Sequence, residues 1–119
     1  VMYENYNTTL SVEVQTLVQM VETGILPACA EDMAIYAAMP SLKGDREKVY
    51  GDIKKATDSL KSLFAGKPHD LAKESEYLCE TVKPQMAAVR ALVDKAEGML
   101  RKGVYPYPTY EEIIYSHHS

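Results

Sequence analysis

The histidines are the first residues in this chain that could bind a metal ion, and their placement does not favour it. His117 and His118 are adjacent near the C-terminus, and His69 lies in a loop after a proline, with no partner in helical register. A terminal histidine pair can bind a metal, but a solvated end or a tag remnant explains this pair more simply. We therefore predict no metal site.

Two acidic pairs are the other candidates for acid–base chemistry. Glu31 and Asp32 are adjacent, as are Glu111 and Glu112, so the members of each pair point in different directions on a helix. We interpret both pairs as solvated charge or helix capping. The sequence has no glycine-rich phosphate loop, no GxSxG, no zinc-ligand spacing and no haem attachment motif. We predict no catalytic and no cofactor-binding residue.

The two cysteines, Cys29 and Cys79, have no CxxC spacing. A disulfide-stabilised domain would carry more cysteines, so we predict reduced thiols in a cytosolic or plastid-like compartment. Both cysteines lie beside apolar helical positions, which predicts buried structural thiols. Asn7 begins the glycosylation acceptor pattern NTT, which we interpret as chance because nothing else suggests secretion.

Composition and charge narrow the class of protein. The chain has 119 residues, of which 46% are hydrophobic and 25% charged, as in an ordinary single globular domain. No apolar run approaches the roughly 20 residues of a membrane span, and the start is unlike a signal peptide. The net charge is −4, with an acidic first third followed by a basic stretch. The uneven distribution of charge favours ion pairs between helices. The negative net charge gives no support for nucleic-acid binding.

Three stretches have apolar residues at steps of three and four, which predicts amphipathic helices. The first helix should run from Thr8 or Thr9 to about Met39, the second from Gly44 or Asp45 to Gly66, and the third from Asp70 to Gly103. Their apolar stripes are, in order, Leu10, Val14, Leu17, Val18, Val21, Ile25 and Ala28; then Val49, Ile53, Ala56, Leu60 and Leu63; then Leu71, Leu78, Val82, Met86, Val89, Val93, Ala96 and Leu100.

The fold class predicted from these stripes is all-α. Short connections favour an antiparallel bundle of three long helices over residues 1–103. Pro27 and Pro84 fall inside the first and third stripes, where each removes a backbone donor, so we expect a kink in both helices.

Residues 104–119 are rich in proline and tyrosine and should form a hook within the same domain. Pro106 and Pro108 predict a stiff extended turn, and Thr109 with Glu112 forms a capping box that starts a short terminal helix. The aromatic and apolar residues either cover one end of the bundle or dock onto another domain or subunit. The predicted docking residues are Tyr105, Pro106, Tyr107, Pro108, Tyr110, Ile113, Ile114 and Tyr115.

Both ends of the chain resemble the C-terminal region of type III glutamine synthetases. The family's helix of the form VxPxMxxxRxxxDxxE, its proline-containing aromatic turn and its short apolar helix match a series of residues here: Val82, Pro84, Met86, Arg90, Asp94, Glu97, Tyr105, Pro106, Pro108, Tyr110, Ile113 and Ile114. The first helix is similar to the family's ILPA helix through Glu13, Thr16, Met20, Ile25, Leu26, Pro27 and Ala28. Residues 39–67 carry no family signature, and Tyr105 stands where the family usually has tryptophan.

The resemblance implies a parent activity and a structural role. Glutamine synthetases join ammonia to glutamate with ATP and a divalent metal, using an α/β catalytic domain that has no counterpart in this sequence. The implied partners of the segment are that catalytic domain and the homo-oligomer of the parent enzyme. A free-standing helical adaptor is the alternative, with no nucleic-acid or membrane partner in either case.

Overall fold

The structure, a computed structural model, describes residues 2–100, and no strand occurs in that range. The chain forms three long helical segments, which confirms the all-helical prediction. The first covers residues 2–35 and consists of α1 (Met2–Met20), a π turn (Val21–Ile25) and α2 (Leu26–Ile35). The second is α3 (Arg46–Ala65), preceded by a short 3-10 turn (Pro40–Leu42). The third covers residues 71–99 and consists of α4 (Leu71–Tyr77), a π turn (Leu78–Val82) and α5 (Lys83–Met99).

The ends of the second segment were predicted correctly from its capping residues. Helix α3 follows Asp45 and is closed by Gly66. Gly66 has a φ of −87° and is not left-handed; the positive φ, 59°, belongs to Gly44 in the turn before α3. The side chain of Asp70 accepts a hydrogen bond from the amide of Lys73 at 3.1 Å, which confirms Asp70 as the N-terminal cap of the third segment.

Two other predicted helix ends, both in the first segment, are wrong. The first segment begins at Met2 instead of Thr8 or Thr9, because the polar start of the sequence is also helical. It ends at Ile35, short of Met39, because Tyr36 already leaves the helical region with φ −90° and ψ 2°. Helix α5 ends at Met99 because Leu100 is extended, with φ −75° and ψ 142°. The predicted stop, Gly103, lies outside the described residues.

A π turn precedes each internal proline. The amide of Leu26 donates to the carbonyl of Val21, and that of Lys83 donates to the carbonyl of Leu78, so each bond spans five residues instead of four. Pro27 and Pro84 follow directly, in the first turn of the next α-helix. Proline is best tolerated there, because the backbone N–H that it lacks would have no acceptor within that helix.

The buried stripe of the first segment continues through the first π turn to Asp32. Steps of four, three and four lead from Val21 to Ile25, Ala28 and Asp32, all of which are buried. Such steps keep to one face of a helix with about 3.6 residues per turn. The π turn inserts one residue but leaves Asp32 on the buried face, whereas Glu31 is exposed.

The predicted stripes supply most of the core. Val18, Ala56 and Leu63 are only partly buried, and Leu71, the first residue of α4, is exposed, contrary to prediction. One turn later Ser75 takes the inward position. The buried hydrophobic residues are Leu10, Val14, Leu17, Val21, Ile25, Ala28, Cys29, Val49, Tyr50, Ile53, Leu60, Leu78, Val82, Met86, Val89, Val93, Ala96 and Leu100.

Candidate functional site

The predicted docking residues of the tail, from Tyr105 to Tyr115, lie outside the described residues, as do Glu111, Glu112, His117 and His118. His69, the histidine within residues 2–100, is exposed in the turn before α4. The arrangement that stands out in the described part of the chain is instead a buried ionic cluster around Asp32.

Asp32 projects from α2 into the interior and is completely buried. Its Oδ2 atom accepts a hydrogen bond from Nε of Arg46 at 2.8 Å and one from the hydroxyl of Tyr50 at 2.6 Å. Its Oδ1 atom is buried without a hydrogen-bond partner among the described residues. The prediction that Asp32 is a solvated charge is therefore wrong, because Asp32 lies on the buried face of the first segment, where Arg46 and Tyr50 bond it.

Arg46 connects all three helical segments. Besides the ion pair with Asp32 of the first segment, it donates from Nη1 to the carbonyl of Lys43 at 3.1 Å. It also donates from Nη2 to the carbonyl of Met99, at the end of the third segment, at 3.0 Å. The ring of Tyr36 lies 4.5 Å from the guanidinium carbon. Arginine suits this role because its planar, permanently charged group carries several donors in fixed directions.

The neighbourhood of Asp32 suppresses ionisation of the other acids around it. Burial, followed by the charge of Asp32, raises the pKa of the Cys29 thiol to about 12. Burial and the hydrogen bond to Asp32 also raise the pKa of Tyr50. Burial opposes the charge on Arg46, yet the hydrogen bond to Asp32 leaves the pKa of its guanidinium above the usual value. The cluster thus holds one buried ion pair, with the thiol and the phenol protonated at neutral pH.

This arrangement is suited to fixing helices in place. Arg46 and Tyr50 both donate a hydrogen bond to Oδ2 of Asp32, and helices α2 and α3 enclose this carboxylate. A buried pair of this kind adds little net stability over apolar packing, but removal of one partner is costly. The sequence signal that could have identified it is the spacing of Arg46 and Tyr50, which lie four residues apart on one face of α3.

A second polar contact joins the start of α1 to α4. The hydroxyl of Ser75 donates to Oδ1 of Asn7 at 2.6 Å, and the amide of Asn7 donates to the carbonyl of Leu71 at 3.3 Å. Both side chains are buried. The glycosylation pattern at Asn7 thus lies on a buried side chain that is already hydrogen-bonded, in agreement with its interpretation as chance.

Ion pairs also cross between the acidic first segment and the basic second segment, as the charge distribution predicted. Lys61 of α3 contacts Glu22 at 2.9 Å, in addition to the pair of Arg46 and Asp32. The pair of Lys61 and Glu22 borders a mainly apolar groove of about 380 Å³ that is lined by Val14, Val18 and Phe64 among others.

The cysteines differ from each other. Both are free thiols, with Cys29 buried and Cys79 exposed. The predicted burial is confirmed for Cys29 and wrong for Cys79. Cys79 lies in the second π turn, outside the stripe that continues through Leu78 and Val82.

An exposed apolar patch lies at the end of the molecule where the first segment connects to α3. We call it the end patch and define it as Ile35, Met39 and Leu42, all of which are exposed. Ile35 ends α2, and Met39 and Leu42 lie in the connection that follows, which also contains Tyr36, whose ring covers Arg46. A local group of large exposed apolar side chains is typical of a surface that another element covers.

Two other kinds of feature do not occur in the described part of the chain. Within residues 2–100, no group of three or more histidine, cysteine, aspartate or glutamate side chains is arranged to hold a metal ion. None of the helices described is long and apolar enough to cross a membrane.

Comparison with known proteins gives one informative similarity. The chain is 25% identical, over an alignment 137 residues long, to a type-3 glutamine synthetase from Dictyostelium discoideum, and the alignment takes in 97% of this chain. It covers 19% of that protein, so the chain spans about a fifth of the length of its relative. No protein-family profile matches the chain, and no solved structure matches it. Nearly all of this sequence is thus similar to a minor part of a type-3 glutamine synthetase.

Proposed function

We propose that this chain is the non-catalytic C-terminal helical module of a type III glutamine synthetase. The observation that carries the proposal is the extent of the similarity, 97% of this chain against 19% of the relative. Such a match is expected when a chain corresponds to one region of a larger enzyme. The residues that placed the resemblance at the family's C-terminus include both internal prolines.

The module is proposed to be an antiparallel three-helix bundle. Three hydrogen bonds support opposite directions for the second and third segments. Arg46 at the start of α3 bonds Met99 at the end of α5; Gln85 bonds the Ala56 carbonyl at 2.9 Å; and Tyr77 near the start of the third segment bonds the Leu63 carbonyl at 2.6 Å. We further propose that the two π turns bend their helices, because π bulges and prolines are common causes of helix kinks.

A structural role for the module follows from how its buried polar groups are used. Arg46 and Tyr50 both donate to Asp32 across the first two segments, and Ser75 donates to Asn7 across the first and third. These interactions fix the relative positions of the helices. In the parent enzyme, ATP and the divalent metal would bind to the catalytic domain, and this chain would supply none of their ligands.

The proposed partner is the catalytic domain of the parent enzyme within its homo-oligomer. Ile113, Ile114 and Tyr115 of the tail are proposed to contact that domain, because an apolar terminal helix suits an interface. The competing proposal is a free-standing adaptor that binds an unrelated protein through the same residues.

A capture experiment separates the two proposals. The immobilised chain is exposed to an extract of its source organism, and ATP-dependent glutamine formation is assayed in the captured fraction. The module proposal predicts that the chain alone forms no glutamine but captures this activity. A chain truncated after residue 103 serves as the control and should capture much less. Glutamine formation by the purified chain itself, or capture of partners without this activity, would contradict the proposal.

A further inference from the structure

The packing of the three segments leaves the apolar side chains of the end patch exposed. Ile35, Met39 and Leu42 are 43%, 57% and 58% exposed, respectively. They lie in and beside a connection held by turn hydrogen bonds, including those from Leu42 to Met39 and from Lys43 to Pro40. The patch is therefore a defined surface at one end of the molecule.

The third segment ends beside this connection. Arg46 donates to the carbonyl of Met99 and to the carbonyl of Lys43, the residue after Leu42. The chain therefore leaves α5 next to the end patch. Leu100, the last described residue, is extended.

We propose that residues 104–110 of the same chain cover the end patch, with Tyr105 and Tyr107 against Ile35, Met39 and Leu42. Tyr105 is five residues beyond Leu100, a distance of about 16 Å at the roughly 3.1 Å per residue of a polyproline segment. That reach is enough to cross a patch that begins beside Met99. Pro106 and Pro108 favour an extended backbone, which needs no hydrogen bonds from the surface that it covers.

A segment of the same chain is a better occupant than a second copy. A short tether holds the tail near its own patch at an effective concentration in the millimolar range. The groove at Val14, Val18 and Phe64 is a more distant alternative, because Phe64 is about 27 Å along α3 from Arg46 at 1.5 Å per residue. The inference concerns this chain alone and does not depend on the proposed parent enzyme.

The test uses the absence of tryptophan from the chain. Tyr105→Trp introduces a single tryptophan into the full chain, which can be excited selectively over the tyrosines. Its emission wavelength and its quenching by acrylamide report whether residue 105 is covered. We expect blue-shifted emission and protection from acrylamide. Leu42→Asp in the same background should shift the emission to the red and remove the protection, because a charge replaces part of the patch.

Val12→Asp is the matched control. Val12 lies on α1 and is 55% exposed, nearly as much as Leu42, but it is remote from the end patch and should not change the fluorescence. Both aspartate variants replace exposed side chains, and far-UV circular dichroism verifies that each stays helical.

Three outcomes would overturn the inference. The first is that acrylamide quenches the fluorescence of the tryptophan at position 105 as readily as that of free tryptophan in water. The second is protection of residue 105 that is equally strong with and without the Leu42→Asp substitution. The third is protection that arises only with dimer formation, measured by sedimentation, which would assign the patch to a second copy of the chain.

Discussion

Nε of Arg46 lies 2.8 Å from Oδ2 of Asp32, a carboxylate that is completely buried. The contact joins α2 to α3, and the remaining nitrogens of the same guanidinium reach Lys43 and Met99. One side chain thus fixes the end of the molecule from which the tail departs.

Arg46→Met should strongly destabilise the fold. The substitution leaves the buried charge of Asp32 without a partner, and loss of one member of a buried pair costs about 3–5 kcal/mol. The free energy of unfolding can be measured by urea denaturation. Lys48→Met is the control, because Lys48 forms an exposed pair with Asp52, a kind of contact worth about 0–1 kcal/mol.

The double variant Arg46→Met with Asp32→Asn tests the reason for that loss. Removal of both charges should restore part of the stability, because no uncompensated charge stays buried. A double variant as unstable as Arg46→Met or less stable would show that the charge of Asp32 is not the source of the cost.

Stability should fall at alkaline pH because of Cys29. Its pKa is raised to about 12 by burial and by Asp32, whereas an unfolded cysteine ionises near 8.5. Between these values the unfolded state binds fewer protons than the folded state, so the free energy of unfolding decreases as pH rises. Once the unfolded thiol is ionised, the loss approaches about 1.4 kcal/mol per pH unit.

Urea unfolding at a series of pH values from about 8 to about 10, on either side of the unfolded thiol pKa, measures this effect. Cys29→Val should flatten the dependence, and Cys79→Val should leave it unchanged because Cys79 is exposed. Tyr50, whose pKa is also raised, adds to the loss only above its unfolded pKa of about 10. Equal pH dependence in the wild type and in Cys29→Val would contradict the assignment.

The two thiols should differ in reactivity in the folded chain. Near neutral pH iodoacetamide should modify Cys79 readily and Cys29 slowly, because alkylation needs an accessible thiolate. Burial and Asp32 raise the pKa of Cys29 to about 12, from roughly 8.5 for a free cysteine, and so lower its thiolate fraction by roughly three orders of magnitude. Mass spectrometry of digested protein follows each site, with urea-unfolded protein as the control in which both react. Equal rates in the folded protein would contradict the buried position of Cys29.

Ser75→Ala should destabilise the contact between α1 and α4. The variant leaves the buried Oδ1 of Asn7 without its donor at 2.6 Å, and an unsatisfied buried polar group costs about 1–3 kcal/mol. Ser59→Ala is a suitable control, because Ser59 is exposed on α3 and alanine favours helix at least as well. Urea denaturation should show a loss for the first variant only. Equal stability of the two variants would argue against the bond from Ser75 to Asn7.

The helical architecture could be predicted from the sequence because several local signals agree. Asp45 and Gly66 mark the ends of α3, Asp70 caps α4, and apolar steps of three and four identify most of the core. Signals of this kind depend on residues close to one another in the chain. They gave the correct fold class and the correct inward face of α3.

The ionic cluster was not predicted, although Asp32 continues the apolar stripe of the first segment in steps of three and four. A charged residue is buried at such a position only when it is paired. Its partners, Arg46 and Tyr50, lie on another helix, and only the fold brings them to Asp32. The same limit applies to Leu71, which fits the stripe of the third segment but lies at its exposed first turn.

We propose above all that this chain forms part of a longer type III glutamine synthetase. The most direct test is to sequence the encoding transcript upstream of the codon for Val1. The proposal predicts an uninterrupted reading frame that encodes a glutamine synthetase catalytic domain before this segment. A start codon just upstream of Val1, preceded by an in-frame stop codon, would contradict the account and favour the free-standing adaptor.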